Sequence, residues 1–300
     1  MTRQAYVDGR FLPIAKARVA VEDRGYQFAD GVYEVIKAVA GEPCDLDRHL
    51  ARLERSLAAL RIPVPMSMPA LALVVREALA RNPIRKAIVY LQVTRGVAPR
   101  NHLFPRDARP SLVITVRRAP FPSDRERAEG VAVLSLPDRR WGRCDIKSIS
   151  LLANLLAKQE AAEAGCREAW LVDEAGRVTE GSASNAYIVD SEGRLVTHPL
   201  GPRILGGVTR SVILELAREA GIEVVERPFT LTEAKEAREA FLTSTTSLVL
   251  PVTRIDDRVV ANGMPGGTTR RLARLYAERS GIPEAATGLR ERRSIASCRG

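Results

Sequence analysis

Strand-like and helix-like segments follow one another irregularly along this chain, and that order constrains the fold more than any single motif does. β-Prone runs flank the Asp8-Gly9 dipeptide, which predicts a hairpin near the beginning of the chain. Leucines recur at every third or fourth position over about residues 47–61, which predicts an amphipathic helix with one buried stripe. Because a regular sheet of βαβ units needs strict alternation, we predict a mixed α/β (α+β) fold instead.

The length of the chain indicates how it divides into domains. Its 300 residues are enough for two domains with hydrophobic cores of their own. Two prolines with polar neighbours predict an interdomain linker at 119–126. We therefore predict a small N-terminal α/β domain at 1–118, a larger C-terminal domain at 127–282 and a disordered, arginine-rich tail at 283–300.

Composition and charge argue against several classes of protein. Lysine and arginine total 46 against 36 acidic residues, but the two signs are interleaved, which disfavours a nucleic-acid-binding surface. Four cysteines without a Cys-x-x-Cys pair and only three histidines disfavour both a zinc site and a disulfide framework. The sequence has no apolar leader and no apolar run of about 18 residues, so we expect a cytoplasmic protein without a metal or a membrane partner.

Lysine is scarce in this sequence, and Lys147 has the surroundings that best suit chemistry. Only six of the 46 basic residues are lysines. Lys147 follows Cys144 and Ile146 and precedes an apolar run that predicts a helix at about 149–164. Partial burial there would favour a neutral, nucleophilic amine. The same pattern fits a surface lysine whose stem packs on the core, so the residues alone leave both interpretations open.

Other polar side chains could bind charged groups of a ligand. Glu180 lies among small hydroxyl residues in a predicted strand at 178–190, where it would face either a cationic nitrogen or solvent. Arg100 and His102 lie in a loop between two predicted strands, where they would bind a carboxylate or remain solvated. The sequence around each residue does not decide between the two.

Two segments have the composition of phosphate-binding sites. A predicted helix begins after Gly207, and its first amides, at Val208 and Thr209, would bind a phosphate or simply form a hinge. Thr245 belongs to a dense hydroxyl cluster at 243–247, which is either a second phosphate contact or a polar turn. There is no Gly-x-Gly-x-x-Gly motif after a strand and no P-loop, so the common nucleotide-binding motifs are absent from the sequence.

The order of these segments is more specific than any of them alone. A series of short motifs over about residues 4–280 resembles the fold-type IV pyridoxal-phosphate enzymes. Within that family, the loop with Arg100 and His102 makes the sequence most similar to the D-amino-acid aminotransferases. The other motifs are DRGYQF at 23–28, DGVYEV at 30–35, HLARL at 49–53, DIKS at 145–148, TEGSASN at 179–185, GVTR at 207–210 and TSTTS at 243–247.

The resemblance implies a fold and a cofactor site. The fold would have a small N-terminal α/β domain and a larger C-terminal pseudo-barrel domain, and the cofactor would be pyridoxal 5′-phosphate. Lys147 would carry the cofactor as a Schiff base, and Glu180 would pair with the pyridinium nitrogen. The cofactor phosphate would be bound by four residues, namely Arg52, Val208, Thr209 and Thr245.

The resemblance also implies a substrate and an assembly. Tyr33, Arg100 and His102 would hold the α-carboxylate of a D-amino acid, and the last two would reach in from the partner subunit of a homodimer. The expected reaction is ping-pong transamination of D-alanine with 2-oxoglutarate, giving pyruvate and D-glutamate. A branched-chain L-amino-acid aminotransferase or an (R)-amine transaminase of the same fold remains an alternative. Position 183 is alanine where relatives often carry a hydroxyl residue.

Overall fold

The structure is a computed structural model that describes residues 2–107, 109–119 and 121–281, so the predicted tail at 283–300 lies outside the described residues. The N-terminal part of the chain forms an antiparallel sheet in the order β2-β1-β6-β5-β3-β4, with helices packed on one face. Its elements are β1 (Gln4–Val7), β2 (Arg10–Pro13), α1 (Arg24–Phe28), β3 (Gly31–Val39), β4 (Glu42–Pro43), α2 (Leu46–Ala59), α3 (Met68–Ala80), β5 (Lys86–Thr94) and β6 (Ser111–Arg118).

The C-terminal part forms a larger sheet that curls into a half-barrel and mixes parallel with antiparallel pairs. Together the two sheets confirm the predicted mixed α/β fold with a small N-terminal and a larger C-terminal part. In the described chain, no helix is both long and apolar enough to span a bilayer. The larger part contains α4 (Asp124–Glu129), β7 (Val131–Pro137), α5 (Leu152–Glu163), β8 (Glu168–Val172), β9 (Arg177–Gly181), β10 (Asn185–Val189), β11 (Leu195–Thr197), α6 (Val208–Glu219), β12 (Val224–Glu226), β13 (Phe229–Thr230), α7 (Leu231–Glu236), β14 (Glu239–Ser244), β15 (Leu248–Ile255), β16 (Arg258–Val259) and α8 (Gly267–Arg279).

Local hydrogen bonds explain where the elements differ from the sequence-based prediction. Helix α5 begins at Leu152 rather than near 149, because Lys147 and Ile149 make their backbone bonds to β3 instead of helical bonds. The predicted strand at 178–190 is divided into β9 and β10 by a tight turn, in which the amide of Gly181 donates to the carbonyl of Ser184. Helix α4 begins within the predicted linker at 119–126.

Strand β3 separates the hydrophobic core of the small sheet from a cavity on the opposite face. Its side chains alternate between the two faces, as the period of a strand requires. Val32 and Ile36 are fully buried in a cluster with the leucines of α2. Tyr33 and Val35 lie on the other face and line the cavity. One strand therefore supplies both core residues and cavity residues.

A buried ionic network ties α2 to β3. Glu34 shares the face of Val32 and is fully buried. Arg52 donates to its carboxylate from Nε at 2.7 Å and from Nη2 at 2.8 Å, and His49 Nδ1 donates to it at 2.8 Å. Burial alone would raise the pKa of Glu34, but Arg52 and His49 outweigh it and lower that pKa to about 2. The carboxylate thus stays ionised inside the protein because two donors hold it.

We predict that Glu34 makes stability acid-dependent. A carboxyl whose folded pKa is depressed contributes stability above its unfolded pKa and loses it as the pH falls through the folded value. For Glu34 that window runs from 4.5 down to about 2. The contribution amounts to about 3 kcal/mol, since each pKa unit corresponds to about 1.4 kcal/mol. Urea denaturation over this pH range should therefore show a shallower loss of stability in Glu34→Gln than in the wild type.

Glu54→Gln is the matched control, because Glu54 is an exposed glutamate on the same helix. Its pH profile should follow that of the wild type. At neutral pH, Glu34→Gln should also be less stable by about 3–5 kcal/mol, because Arg52 loses its buried partner. Equal pH profiles for the wild type and Glu34→Gln would contradict the role given to this network.

Candidate active site

One cavity of about 280 Å³ lies between the two sheets. Segments that are far apart in the sequence form its wall: β3, the loop around Lys147, the turn between β9 and β10, the beginning of α6 and the loop between β14 and β15. Seven of the predicted site residues line it, namely Tyr33, Arg52, Lys147, Glu180, Val208, Thr209 and Thr245.

Backbone hydrogen bonds hold Lys147 at the junction of the sheets. Its carbonyl accepts from the amide of Tyr33 at 3.0 Å, and the amide of Ile149 donates to the carbonyl of Gly31 at 3.0 Å. The Lys147 amide donates to Ser56 Oγ of α2 at 3.3 Å. The side chain is half-buried, and Nζ lies 4.2 Å from the centroid of the Tyr33 ring. Within the described residues, no carboxylate forms an ion pair with this amine, so it is available to a ligand.

A second part of the wall presents a buried carboxylate. Glu180, near the end of β9, accepts from Asn185 Nδ2 at 3.0 Å and from the amide of Leu205 at 3.1 Å. It also forms an ion pair with Arg140, which reaches it from the loop after β7. Arg140 is shared, because its Nη2 donates to Asp138 at 2.8 Å. Burial raises the pKa of Glu180 to about 7 despite Arg140 and the other donors.

The beginning of α6 is built for the close approach of an anion. Its N-cap residue, Gly207, makes no side-chain capping bond, so the first amides of the helix remain available. A β-carbon on Gly207 would collide with Oδ1 of Asn185, so only glycine fits there. Arg52 extends from α2 in the N-terminal part, and its Nη1 donates to the carbonyl of Gly206 at 3.1 Å. Cationic, hydroxyl and amide donors therefore converge on this end of the cavity.

Arg100 and His102 lie away from this cavity. The guanidinium of Arg100 stacks on the ring of Phe28 at 4.4 Å, and the His102 ring lies 5.6 Å from the same ring. Both side chains are exposed, and among the described residues neither lines the cavity of its own chain. The loop also exposes Leu103, whose side chain is apolar. The single chain therefore does not bring these two residues to Tyr33.

Sequence reasoning missed several residues of the site. Glu34 holds Arg52, and Arg140 and Asn185 hold Glu180, although none of the three was singled out from its sequence context. Asp138, which was also missed, in turn holds Arg140. A signal was present for Glu34, because it is an acid on an apolar strand face opposite a helix that carries His49 three residues before Arg52. Arg140 gave no periodic signal, since it comes from an irregular loop.

The wall fits pyridoxal phosphate by the chemistry of its donors. Glu180 supplies a carboxylate suited to a cationic ring nitrogen, and Lys147 supplies an amine suited to an aldehyde. The beginning of α6 and Arg52 supply donors suited to a phosphate. Asn185 links two of these parts, since it contacts both Glu180 and Gly207.

Comparison with known proteins agrees with this chemistry. The chain is 41% identical to the D-alanine aminotransferase of Bacillus licheniformis, over 88% of this chain and 93% of that protein. It matches the branched-chain aminotransferase of Escherichia coli with a TM-score of 0.87 and 23% identity, over 94% and 96% of the two chains, which shows a shared fold. The PLP-form of the branched-chain enzyme of Thermobaculum terrenum matches with a TM-score of 0.81 and 26% identity, over 95% and 96%.

A family model agrees with these individual matches. The model of the class IV aminotransferases matches residues 31–255, a span that runs from the beginning of β3 to the end of β15 and includes Lys147 and Glu180. With that match and a relative 41% identical over most of its length, this chain belongs to the class IV aminotransferases.

Proposed function

We propose that this protein is a pyridoxal-phosphate-dependent D-alanine aminotransferase that transfers the amino group to 2-oxoglutarate. The observation that carries the proposal is that the Lys147 amine, which forms no ion pair with a described residue, and the buried carboxylate of Glu180 line one cavity. The identity of 41% to a D-alanine aminotransferase supports the choice of substrate. When bound, the cofactor supplies an electrophilic carbon for amino groups and a ring that accepts electrons from the substrate α-carbon.

Each group in the wall has a distinct task in holding the cofactor. Lys147 would anchor it covalently, and Glu180 would hold its ring nitrogen in the cationic form. A cation beside Glu180 would favour the ionised carboxylate, which burial alone disfavours. Arg52, with the first amides of α6 and the hydroxyls of Thr209 and Thr245, would bind the phosphate.

The same side chains would direct the proton transfers. Once the amino group of the substrate has taken its place on the cofactor, Lys147 Nζ would accept the proton from the substrate α-carbon as a general base and would return it as a general acid. Tyr33 packs against this amine and would limit where the substrate carboxylate can lie. The two half-reactions of a ping-pong mechanism would use these groups in opposite directions, first with D-alanine and then with the oxo acid.

A branched-chain L-amino-acid aminotransferase is the second candidate, because solved structures of such enzymes match this fold closely. Their identities of 23% and 26% are well below the 41% shared with a D-alanine aminotransferase. The loop with Arg100 and His102 also favours a D-amino acid, since the resemblance to D-amino-acid aminotransferases rests on it. An (R)-amine transaminase would not need this pair of carboxylate-binding donors.

The position of that loop supports a homodimer with composite active sites. Arg100 and His102 are exposed and lie outside the cavity of their own chain. Helix α5, next to the Lys147 loop, exposes an apolar face whose members are Leu152 (71%), Leu155 (61%) and Leu156 (64%). An exposed apolar face of this kind is typical of a subunit interface. We infer that a second copy covers it and brings Arg100 and His102 to the neighbouring cavity.

We predict turnover of D-alanine with 2-oxoglutarate and none of L-leucine, measured on the purified protein with added pyridoxal phosphate. Lys147→Ala should lower kcat by at least about 10⁴-fold, because both the anchor and the base are lost. Lys86→Ala is the control, since Lys86 is an exposed lysine on β5, and it should keep wild-type activity. Turnover of L-leucine and not of D-alanine would instead identify a branched-chain L-amino-acid aminotransferase. It would also contradict the substrate-binding role given to the loop with Arg100 and His102.

We further predict that mixing two inactive variants restores activity. Lys147→Ala and Arg100→Ala homodimers would be dissociated, mixed and reassembled. If Arg100 serves the partner's cavity, each hybrid dimer contains one intact site, and random reassembly should recover about a quarter of wild-type activity. If Arg100 serves its own cavity, no hybrid site is intact and activity stays at the level of Arg100→Ala. The second result would refute the composite site.

A further inference from the structure

We propose that Lys37 is a positioning residue for the cofactor phosphate and acts through Tyr276 and Thr209. The three polar groups form a chain, from the Lys37 ammonium through the Tyr276 hydroxyl to the Thr209 hydroxyl. The proposal rests on the proposed function, because the anion that these three hydrogen-bonded groups would help to bind is the phosphate of pyridoxal phosphate. It adds two residues, one on β3 and one on α8, to a site otherwise built by the cavity wall.

Lys37 is a buried cation without an acidic partner in the described part of the chain. Its side chain is only 2% exposed, which is rare for a lysine. Nζ donates to Tyr276 Oη at 2.9 Å and lies 4.3 Å from the centroid of that ring. Its titratable neighbour Cys44 does not neutralise it, because burial raises the pKa of that thiol and keeps it protonated. The positive charge is therefore not cancelled locally.

The ammonium fixes the direction of the first hydrogen bond and favours one direction for the second. An ammonium has donors and no acceptor, so Tyr276 Oη must accept from Lys37. The Tyr276 hydrogen is then free to donate to Thr209 Oγ1, which lies 3.3 Å away. In that arrangement Thr209 Oγ1 accepts the bond, and its own hydrogen is left for another acceptor. Hydrogen bonds aligned in this way polarise one another, so the last donor is strengthened.

The last donor of the chain is at the cavity. Thr209 is 4% exposed and lines the cavity at the second residue of α6, whereas neither Lys37 nor Tyr276 is part of the lining. Its hydroxyl has no other hydrogen-bond partner among the described residues. An anion bound at the beginning of α6 would therefore meet a hydroxyl that is oriented to donate, with a positive charge behind it. That is the electrostatic environment that a phosphate requires.

The alternative is a purely structural role, in which Lys37 and Tyr276 join β3 to α8 and have no effect on the ligand. The two roles differ in which ligand is affected. Removing a structural link weakens the binding of pyridoxal phosphate and of pyridoxal alike, because both ligands need the same folded cavity. Removing a donor that orients the phosphate weakens the binding only of ligands that carry a phosphate. Pyridoxal and inorganic phosphate are therefore the informative probes.

The test is an equilibrium titration of the full-length protein with pyridoxal phosphate, pyridoxal and inorganic phosphate. Lys37→Met removes the charge with similar volume, and Tyr276→Phe keeps the ring while it removes the hydroxyl. Each variant should raise the Kd of pyridoxal phosphate and of inorganic phosphate about tenfold, the size expected for loss of one charge-assisted hydrogen bond. The Kd of pyridoxal should change less than about twofold. Lys86→Met, which removes an exposed lysine from β5, should leave all three constants unchanged.

The double variant makes the test sharper. Either substitution alone interrupts the hydrogen bonds between Lys37 and Thr209. The double variant Lys37→Met with Tyr276→Phe should therefore weaken phosphate binding no more than either single change. Additive effects, unchanged phosphate affinity, or equal weakening of pyridoxal and pyridoxal phosphate would each overturn the role of Lys37. A wild-type protein that binds neither pyridoxal phosphate nor pyridoxal would instead overturn the proposed function. If Lys37→Met fails to fold, Tyr276→Phe alone decides between these outcomes.

Discussion

Two backbone hydrogen bonds between β3 and the segment around Lys147 are the contacts on which the rest of the site depends. They join the amide of Tyr33 to the carbonyl of Lys147 and the amide of Ile149 to the carbonyl of Gly31. A β-carbon on Gly31 would lie 2.6 Å from the carbonyl oxygen of Val93 on β5, so glycine is required where β3 lies between β5 and the Lys147 segment. These bonds fix the backbone of Lys147, which lies outside any helix, and so place its amine against the ring of Tyr33.

Three buried ionisable side chains near that junction differ in the partners that they have within the protein. Glu34 is held by Arg52 and His49, and its pKa falls to about 2. Glu180 shares its arginine with Asp138, so burial prevails and its pKa rises to about 7. Within the described ranges, the Lys37 ammonium donates only to the hydroxyl of Tyr276. The first carboxylate is stabilised within the protein, whereas the second carboxylate and the lysine would gain from a charged ligand, which is the pattern expected of a binding site.

The groups that would hold the cofactor are separate from those that would choose the substrate. Lys147, Glu180 and the beginning of α6 line a cavity that a single chain forms. Arg100 and His102 lie on an exposed loop that packs on Phe28. Substrate choice in our proposal thus depends on a loop at a subunit interface, where change costs little stability.

The sequence by itself determined the mixed fold, helix α2 and the candidate residues. Helix α2 rests on local leucine spacing, whereas the mixed fold and the candidate residues rest on the order of segments and motifs such as DIKS and TEGSASN along the chain. It did not reveal that residues 182–184 turn the chain, nor that Lys147 lies in a loop that bonds to β3. The turn closes through a local bond from the Gly181 amide to the Ser184 carbonyl, whereas the Lys147 segment is held by bonds to β3, which is distant in sequence.

Only the tertiary structure decided which partners the site residues have. Arg140 reaches Glu180 across 40 positions of sequence, and Lys37 reaches Tyr276 across 239. No local periodicity encodes such pairs, because they depend on how two sheets and their helices meet. The sequence supplied the reactive groups, and packing alone set which of them are buried together, and so which charges remain for a ligand to neutralise.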